Sequence, residues 1–467
     1  MAIFLIAATF GLIVTMTAAP ASAQTAAATV NRTGLEDVVF SSYDYEAKPD
    51  HEAFAKFNLR RAPSPGELIL RKGDRLAICG DSITEQKMYS RIIETYLTAC
   101  TPQLEITVRQ YGWSGEKTDG FLRRMEQDCL RFDPTVATLC YGMNDARYRP
   151  FDVTNGLWYE EHYRAIVRKF KQRDVRVVLG SPGCAGKLAT WVRSRAGTLD
   201  ELNLNLAALR DTAIDVARTE QVAFADVFWP MYQAQVFAPG QHHATADQPY
   251  EVAGKDGIHP GWAGHVIMAY AFLRGMGLDG KLAQIEIDLT SHKATASAGH
   301  TIESMGEGQF RLVSKRYPFC AAGDIDSDAS IRSGMTLVPF FDDLNQFTLQ
   351  VNGGDEQKTM VVTWGDESRE FSGAELAAGI NLAKEFVVGP FTEAFQRVDA
   401  AVAAKQAFET EQVKKVFHGP RGKEDFERAV KETEAERSPL ADAIADAIRP
   451  VAHTLTVQAK TGNRETD

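Results

Sequence analysis

The architecture of this chain is built around the segment Leu76-Ala77-Ile78-Cys79-Gly80-Asp81-Ser82-Ile83-Thr84-Glu85. A short apolar run ends in Gly-Asp-Ser, and a segment of helical character follows over about residues 87–97. This pattern is typical of a strand that delivers a hydroxyl to the carboxyl edge of an open α/β sheet, where ligands bind. Gly-Asp-Ser is also ordinary turn and N-cap chemistry, so the tripeptide alone leaves a purely structural role open.

Apolar runs and helical segments alternate through the segment that surrounds this tripeptide. Strands are predicted at residues 75–79, 104–110, 135–141, 175–181 and 222–226, with helices between them and a last helix at 262–275. Strands rich in Val, Ile and Leu that are separated by helices predict a parallel sheet covered on both faces. The predicted fold class is therefore α/β: a three-layer α/β/α, doubly wound (flavodoxin-like) parallel sheet.

The sequence texture changes after about Gly280. Short alternating runs at residues 346–351 and 358–362, on either side of Asn352-Gly353-Gly354, predict antiparallel strands. A helical pattern begins at Gly373. These observations predict five segments: a signal peptide (1–23), an N-terminal extension (24–66), the α/β domain (67–280), an appended small β-rich region (281–372) and a helical C-terminal region (373–467).

The N-terminus predicts export to the periplasm or the medium. An apolar run over residues 3–16 leads to Ala21-Ser22-Ala23, which is typical of a cleavable signal peptide, although no Lys or Arg precedes the run. The run is shorter than the ~20 residues that span a bilayer, so no stable membrane anchor is expected. A net charge of −11 disfavours a nucleic-acid partner, because binding phosphates requires clustered Lys and Arg.

The sequence predicts no metal site. The six cysteines include no C-x-x-C pair, and His242, His243 and His265 lack acidic or thiol partners at ligand spacing. A surface loop is the simpler interpretation of the His242-His243 pair.

Three further polar segments follow predicted strands or precede helices, and the fold should bring them to the same sheet edge as Ser82. They are residues 111–118, 141–145 and 256–260. A serine hydroxyl needs a base to take its proton, and His259 is the candidate, with Asp256 three residues earlier to orient it. The backbone N–H groups of Ser82 and Gly115 and the side-chain amide of Asn144 are candidate donors to a developing oxyanion.

These segments resemble, in the same order, the four blocks of the SGNH (GDSL-type) hydrolase superfamily, here in a bacterial exported member with a C-terminal extension. The matching residues are Gly80-Asp81-Ser82-Ile83, Gly115 in Tyr-Gly-Trp-Ser-Gly-Glu, Gly142-Met143-Asn144-Asp145 and Asp256-Gly257-Ile258-His259-Pro260. The resemblance covers about residues 70–280. It implies that Ser82 is the nucleophile, His259 the general base and Asp256 its partner, and that Ser82, Gly115 and Asn144 form the oxyanion hole. Gly112 is an alternative to Gly115.

The resulting hypothesis is a serine esterase that forms an acyl-enzyme, needs no cofactor and removes small acyl groups, chiefly acetyl, from carbohydrate. A lipase, arylesterase, thioesterase or acyltransferase of the same superfamily is the alternative, and a non-catalytic binding protein on a hydrolase scaffold is a distant one. Asp81 and Asp145 are interpreted as local hydrogen-bonding residues, and Ser114 lacks the Gly-x-Ser-x-Gly spacing of a nucleophile elbow. Four aromatic residues are candidates to line the cleft: Trp113, Tyr148, Trp158 and Trp229. The oligomeric state stays open.

Overall fold

A computed structural model describes residues 44–321 and 323–460, and its central element is a five-stranded parallel sheet. The strands are β1 (Arg75–Gly80), β2 (Thr107–Gly112), β3 (Val136–Cys140), β4 (Arg176–Gly180) and β5 (Ala223–Ala225). Their order is β2-β1-β3-β4-β5, and every neighbouring pair is parallel. This is the flavodoxin-like order of a doubly wound sheet, and it confirms the predicted fold class.

Seven helices connect and flank these strands. They are α1 (Ser82–Glu85), α2 (Tyr89–Ala99), α3 (Thr118–Asp128), α4 (Val153–Lys171), α5 (Leu199–Glu220), α6 (Phe228–Gln241) and α7 (Trp262–Gly275). The helix expected at about residues 87–97 is α2, shifted by two residues. The short helix α1 was not predicted, and Lys87, with a left-handed φ of 57°, lies between the two helices. Helix α6 was not predicted, while α7 has the predicted bounds.

A close approach between β2 and α1 places the end of β2 beside Ser82. A Cβ atom on Gly112 would lie 2.2 Å from the backbone nitrogen of Glu85, so only glycine permits this contact. The carboxyl ends of β1 and β2 therefore meet directly under α1.

The rest of the chain adds two smaller sheets and a group of helices. Strands β6 to β14 are Lys281–Asp288, Lys293–Ala296, His300–Gly306, Gln309–Ser314, Gln346–Asn352, Thr359–Trp364, Glu367–Ser372, Ile380–Asn381 and Val451–Ala459. Helices α8 to α14 are Ile331–Gly334, Phe340–Leu344, Gly373–Ala378, Leu382–Glu385, Thr392–Glu411, Pro420–Glu424 and Phe426–Ala447. The sheet orders are β13-β10-β6-β7 and β12-β11-β14-β9-β8.

Two expectations about this added part were wrong in detail. Strands β10 and β11 lie in different sheets, and β10 pairs in parallel with β6. Residues 451–459, which were assigned to the helical region, form β14 between β9 and β11. Both differences arise because strand partners are chosen by long-range pairing, which the alternation within one strand does not specify.

The C-terminal helices cover the exposed edge of β2. The Val108 carbonyl oxygen accepts hydrogen bonds from Lys405 Nζ (2.5 Å) and Arg437 Nη2 (3.2 Å), and the Gln110 N–H donates to Glu409 Oε2 (3.1 Å). An uncovered edge strand offers such groups to other chains. The C-terminal helices therefore complete the sheet that carries Ser82.

The N-terminal extension is packed where it is described, from residue 44 onward. Phe54 and Phe57 are buried, with ring centroids 5.3 Å from Trp229 and 4.7 Å from Tyr232 respectively. The predicted signal peptide, residues 1–23, lies outside the described residues. Within residues 44–321 and 323–460, no helix has the length and apolar character that crossing a membrane requires.

Candidate active site

Ser82 lies two residues beyond β1, at the start of α1, where the carboxyl ends of the parallel strands meet. The preceding residue, Asp81, caps this short helix, because its Oδ1 accepts a hydrogen bond from the Ile83 N–H at 3.0 Å. Since Ser82 is the first helical residue, its own N–H has no acceptor within the helix. The local turn thus exposes both a hydroxyl and a backbone donor.

Ser82, His259 and Asp256 form one continuous chain of contacts. His259 Nε2 lies 2.8 Å from Ser82 Oγ, and His259 Nδ1 lies 2.7 Å from Asp256 Oδ2. The other Asp256 oxygen accepts hydrogen bonds from the Ile258 and His259 N–H groups, both at 2.8 Å. A carboxylate on Nδ1 favours the tautomer in which Nδ1 carries the proton and Nε2 accepts one from the serine.

The Asp256 carboxylate is held in its charged form. Burial opposes ionisation, but hydrogen bonds from the backbone and side chain of His259 keep the pKa of Asp256 below its usual value. The acceptor that orients the imidazole therefore stays charged at neutral pH.

Asn144 lies close to Asp81 and is held by three contacts. Its Nδ2 donates to Asp81 Oδ2 (3.2 Å) and to the Glu116 carbonyl oxygen (3.1 Å), and its Oδ1 accepts from Tyr148 Oη (3.1 Å). Burial raises the pKa of Asp81 to about 7. A protonated Asp81 is a weaker acceptor for the Asn144 amide than a carboxylate is.

Gly115 lies on the loop between β2 and α3, with φ at +71°, a backbone conformation that favours glycine. The loop is anchored from below by the buried Arg124, which donates to the Tyr111 carbonyl oxygen and to both Glu116 carboxylate oxygens, each at 2.7 Å. Sequence reasoning did not single out Arg124. A buried arginine within α3 offers no local signal of the loop that it holds.

The remaining polar candidates have structural partners. Asp145 accepts hydrogen bonds from Thr118 N (3.0 Å), Thr118 Oγ1 (2.7 Å) and Gly142 N (3.1 Å). His265 is buried between the Tyr89 N–H and Gln86 Oε1, and burial lowers its pKa to about 3, so its ring is neutral.

The expected surface position of the His242-His243 pair is wrong for one member. His242 is buried and stacks on Tyr250 at 4.5 Å between ring centroids, while His243 is exposed. No group of three or more His, Cys, Asp or Glu side chains suited to a metal ion occurs among the described residues.

The aromatic candidates are distributed differently from the expectation. Tyr148 contacts Asn144, but Trp229 packs on the N-terminal extension and does not face the cleft. Trp191, which sequence analysis missed, lies beside the site with its ring centroid 6.0 Å from that of His259, and 48% of its surface is exposed. Its position on a loop between a strand and a helix is the signal that could have identified it.

Comparison with known proteins gives one family and several relatives. Residues 78–267 match the model of the GDSL-like lipase/acylhydrolase family. An acetylxylan esterase of Geobacillus stearothermophilus is 25% identical over 229 residues, which is 46% of this chain and 95% of that protein.

Among solved structures, a gut microbial diltiazem-metabolizing enzyme matches with a TM-score of 0.65 and 21% identity, over 84% of this chain and 99% of that one. An acetylxylan esterase structure from Geobacillus stearothermophilus matches over 45% of this chain and 96% of its own, with 22% identity and a TM-score of 0.36. The first likeness concerns the fold, and its coverage extends beyond the parallel-sheet domain.

Proposed function

Because residues 78–267 are a GDSL-like lipase/acylhydrolase domain and the protein is a carboxylic ester hydrolase, we propose that Ser82, His259 and Asp256 carry out the hydrolysis through an acyl-enzyme. The observation that carries this proposal is the unbroken chain of contacts from Ser82 Oγ through His259 to Asp256, at 2.8 and 2.7 Å. We also propose that the catalytic domain spans residues 67–280, which enclose the matched range.

In the proposed reaction, Ser82 Oγ attacks the ester carbonyl carbon while His259 Nε2 takes the hydroxyl proton. The negative charge on the carbonyl oxygen is stabilised by the N–H groups of Ser82 and Gly115 and by the Asn144 amide. Collapse breaks the bond to the alcohol, which leaves with the proton from His259. A water molecule then gives a proton to His259 and attacks the acyl carbon. The bond from that carbon to Ser82 Oγ breaks, His259 returns the proton to Ser82 Oγ, and the acid is released.

The proposed substrate is a small acyl group, chiefly acetyl, on a carbohydrate. Trp191 supports this proposal, because an exposed aromatic face beside the triad suits the apolar face of a sugar ring. The acetylxylan esterase relative also supports it. Two apolar cavities lie elsewhere in the described structure. One, of about 610 Å³, is lined by residues between 318 and 391, and the other, of about 490 Å³, includes residues of β1, α2, β2 and α14. Ser82 and His259 line neither of these two cavities.

The acyl preference is tested with nitrophenyl esters from acetyl to decanoyl, followed by acetate release from acetylated xylan. We expect the highest kcat/KM on the acetyl ester and measurable deacetylation of the polysaccharide. A maximum at longer acyl chains would favour the lipase alternative, and acyl transfer to an added sugar exceeding hydrolysis would favour the acyltransferase one.

Replacing Trp191 with alanine should raise KM for acetylated xylo-oligosaccharides by about 2- to 12-fold, since one aromatic contact contributes ~0.5–1.5 kcal/mol. Ethyl acetate, whose alcohol has no ring face, should show a smaller change in KM. Trp191→Phe, which keeps an aromatic face, is the matched control, and its KM for the oligosaccharides should lie between those of the wild type and of Trp191→Ala. An equal loss on both substrates would contradict a sugar platform.

We propose that the protein is exported and that cleavage follows Ala23. The support is the sequence pattern of residues 1–23. Mass spectrometry of protein from the periplasm or medium of producing cells should give a chain that starts at Gln24. A full-length chain confined to the cytoplasm would contradict this.

A further inference from the structure

The C-terminal region reaches the loop that carries Gly115. A π-helical segment, Gln412–Phe417, continues α12 and lies against the loop between β2 and α3. Single π-helical turns are rare in proteins, and those that occur are often at functional sites. Two residues contact Trp113 of that loop: Lys414 within the segment and His418 directly after it. The Lys414 ammonium nitrogen lies 5.4 Å from the Trp113 ring centroid, and the His418 and Trp113 ring centroids lie 5.0 Å apart.

One carboxylate joins three parts of the site. Glu85 is the last residue of α1, the helix that begins with Ser82. Its Oε1 accepts a hydrogen bond from Lys414 Nζ at 2.6 Å, and its Oε2 accepts one from the Ser114 N–H at 2.5 Å. Ser114 is directly followed by Gly115, so the nucleophile helix, the Gly115 loop and the C-terminal region meet at Glu85.

This arrangement is charged and partly shielded from water. The side chains of Lys414 and Glu85 are 27% and 19% exposed. Burial opposes ionisation, but the hydrogen bonds from Lys414 and Ser114 hold the pKa of Glu85 below its usual value. A charge-assisted pair in such a place holds its geometry better than a fully exposed surface pair.

The loop is open on one side, at Gly115. A Cβ atom on Gly115 would meet no atom within 4 Å, so no packing on that side fixes the left-handed turn. Arg124 anchors Tyr111 and Glu116 at the two ends, whereas the Ser114 N–H depends on Glu85.

We propose that Lys414 is a positioning residue, which fixes Glu85 and thereby holds Ser114 and the Gly115 N–H where the oxyanion forms. This inference rests on the proposed function, because it assigns Gly115 to the oxyanion hole. It gives the C-terminal region a role in the reaction beyond covering the β2 edge. Displacing a preorganised donor weakens transition-state stabilisation more than substrate binding.

The test compares Lys414→Met, Lys414→Arg and Glu85→Gln with the wild type on 4-nitrophenyl acetate. Lys415→Met is the matched control, since Lys415 lies on the same π-helical segment and forms an exposed ion pair with Glu411. Lys414→Met should lower kcat by about tenfold with KM changed less than about twofold. Complete loss of one oxyanion donor lowers kcat by about 10²- to 10³-fold, and a donor that is only displaced should lose part of that effect. Lys414→Arg should recover most of kcat, and Lys415→Met should match the wild type.

Coupling and loop order provide two further readouts. The double variant Lys414→Met/Glu85→Gln should be no slower than the slower single variant, because both changes break one contact chain. Amide hydrogen exchange of residues 111–117 should increase in Lys414→Met and stay unchanged in Lys415→Met.

Several outcomes would overturn the inference. Unchanged kcat and unchanged exchange in Lys414→Met would exclude positioning, and a change confined to KM would make Lys414 a substrate contact. An increase in exchange across the whole chain would show a loss of general stability instead. If the wild type hydrolysed no ester, the proposed function would fail by itself, and the exchange of residues 111–117 would still decide whether Lys414 holds the loop.

Discussion

Ser82→Ala is expected to lower kcat on an acetyl ester by about 10⁴-fold or more, because removal of a catalytic nucleophile leaves only binding and oxyanion stabilisation. The variant loses one oxygen atom and keeps the backbone N–H of residue 82. His259 Nε2 then has no hydroxyl at 2.8 Å from which to accept a proton. KM and the thermal midpoint should change little.

Ser114→Ala distinguishes between the two serines near the sheet edge. It keeps the backbone N–H that donates to Glu85 and removes a hydroxyl whose partner is Glu85, not His259. Its kcat should remain within about threefold of the wild type, since exposed substitutions change little. A large loss in Ser114→Ala together with residual activity in Ser82→Ala would contradict the assignment of the nucleophile. Covalent labelling by a fluorophosphonate, followed by peptide mapping, should find the label on Ser82.

Asp256→Asn is expected to lower kcat by about 10³- to 10⁴-fold, through the tautomer of His259. An asparagine oxygen can still accept from the Ile258 and His259 N–H groups, so the loop should keep its shape. Its amide nitrogen would then face His259 Nδ1 as a donor. The imidazole would have to place its proton on Nε2, where it can no longer accept the proton of Ser82.

The measurement is kcat together with the thermal midpoint, so that a catalytic loss is separated from unfolding. Asp256→Ala is the comparison, because it leaves the imidazole free to choose either tautomer. It should be less impaired than Asp256→Asn. If Asp256→Asn retained more than a tenth of the wild-type kcat, orientation by Asp256 would not be important to the reaction.

Much of the parallel-sheet domain was predictable because its signals are local. Apolar runs of strand length, separated by helical segments, indicate a parallel sheet without reference to any distant contact. The turn of Asp256 and His259 is also local, since Asp256 binds the backbone of residues two and three positions later. Helix α6 escaped prediction because its apolar residues lack a one-sided helical pattern and Pro239 lies within it.

Residues of the proposed site that belong to short sequence motifs were predictable, whereas the residues that support them were not. Nothing local distinguishes Arg124 from other helical arginines, yet it binds Tyr111 and Glu116. Trp191 lies in a polar loop, and its approach to His259 depends on how that loop folds over the sheet edge.

By itself the sequence determined the α/β class, the doubly wound parallel sheet and the motif residues expected at its carboxyl edge, because these follow from periodicity and short-range chemistry. Only the tertiary structure decided that β14 pairs between β9 and β11, that Lys405 and Arg437 cover β2, and that Lys414 reaches Glu85. Lys414 and Glu85 are separated by 329 positions. The partner of a charged side chain or a strand edge depends on which surfaces meet in the folded chain, and local patterns carry no information about that meeting.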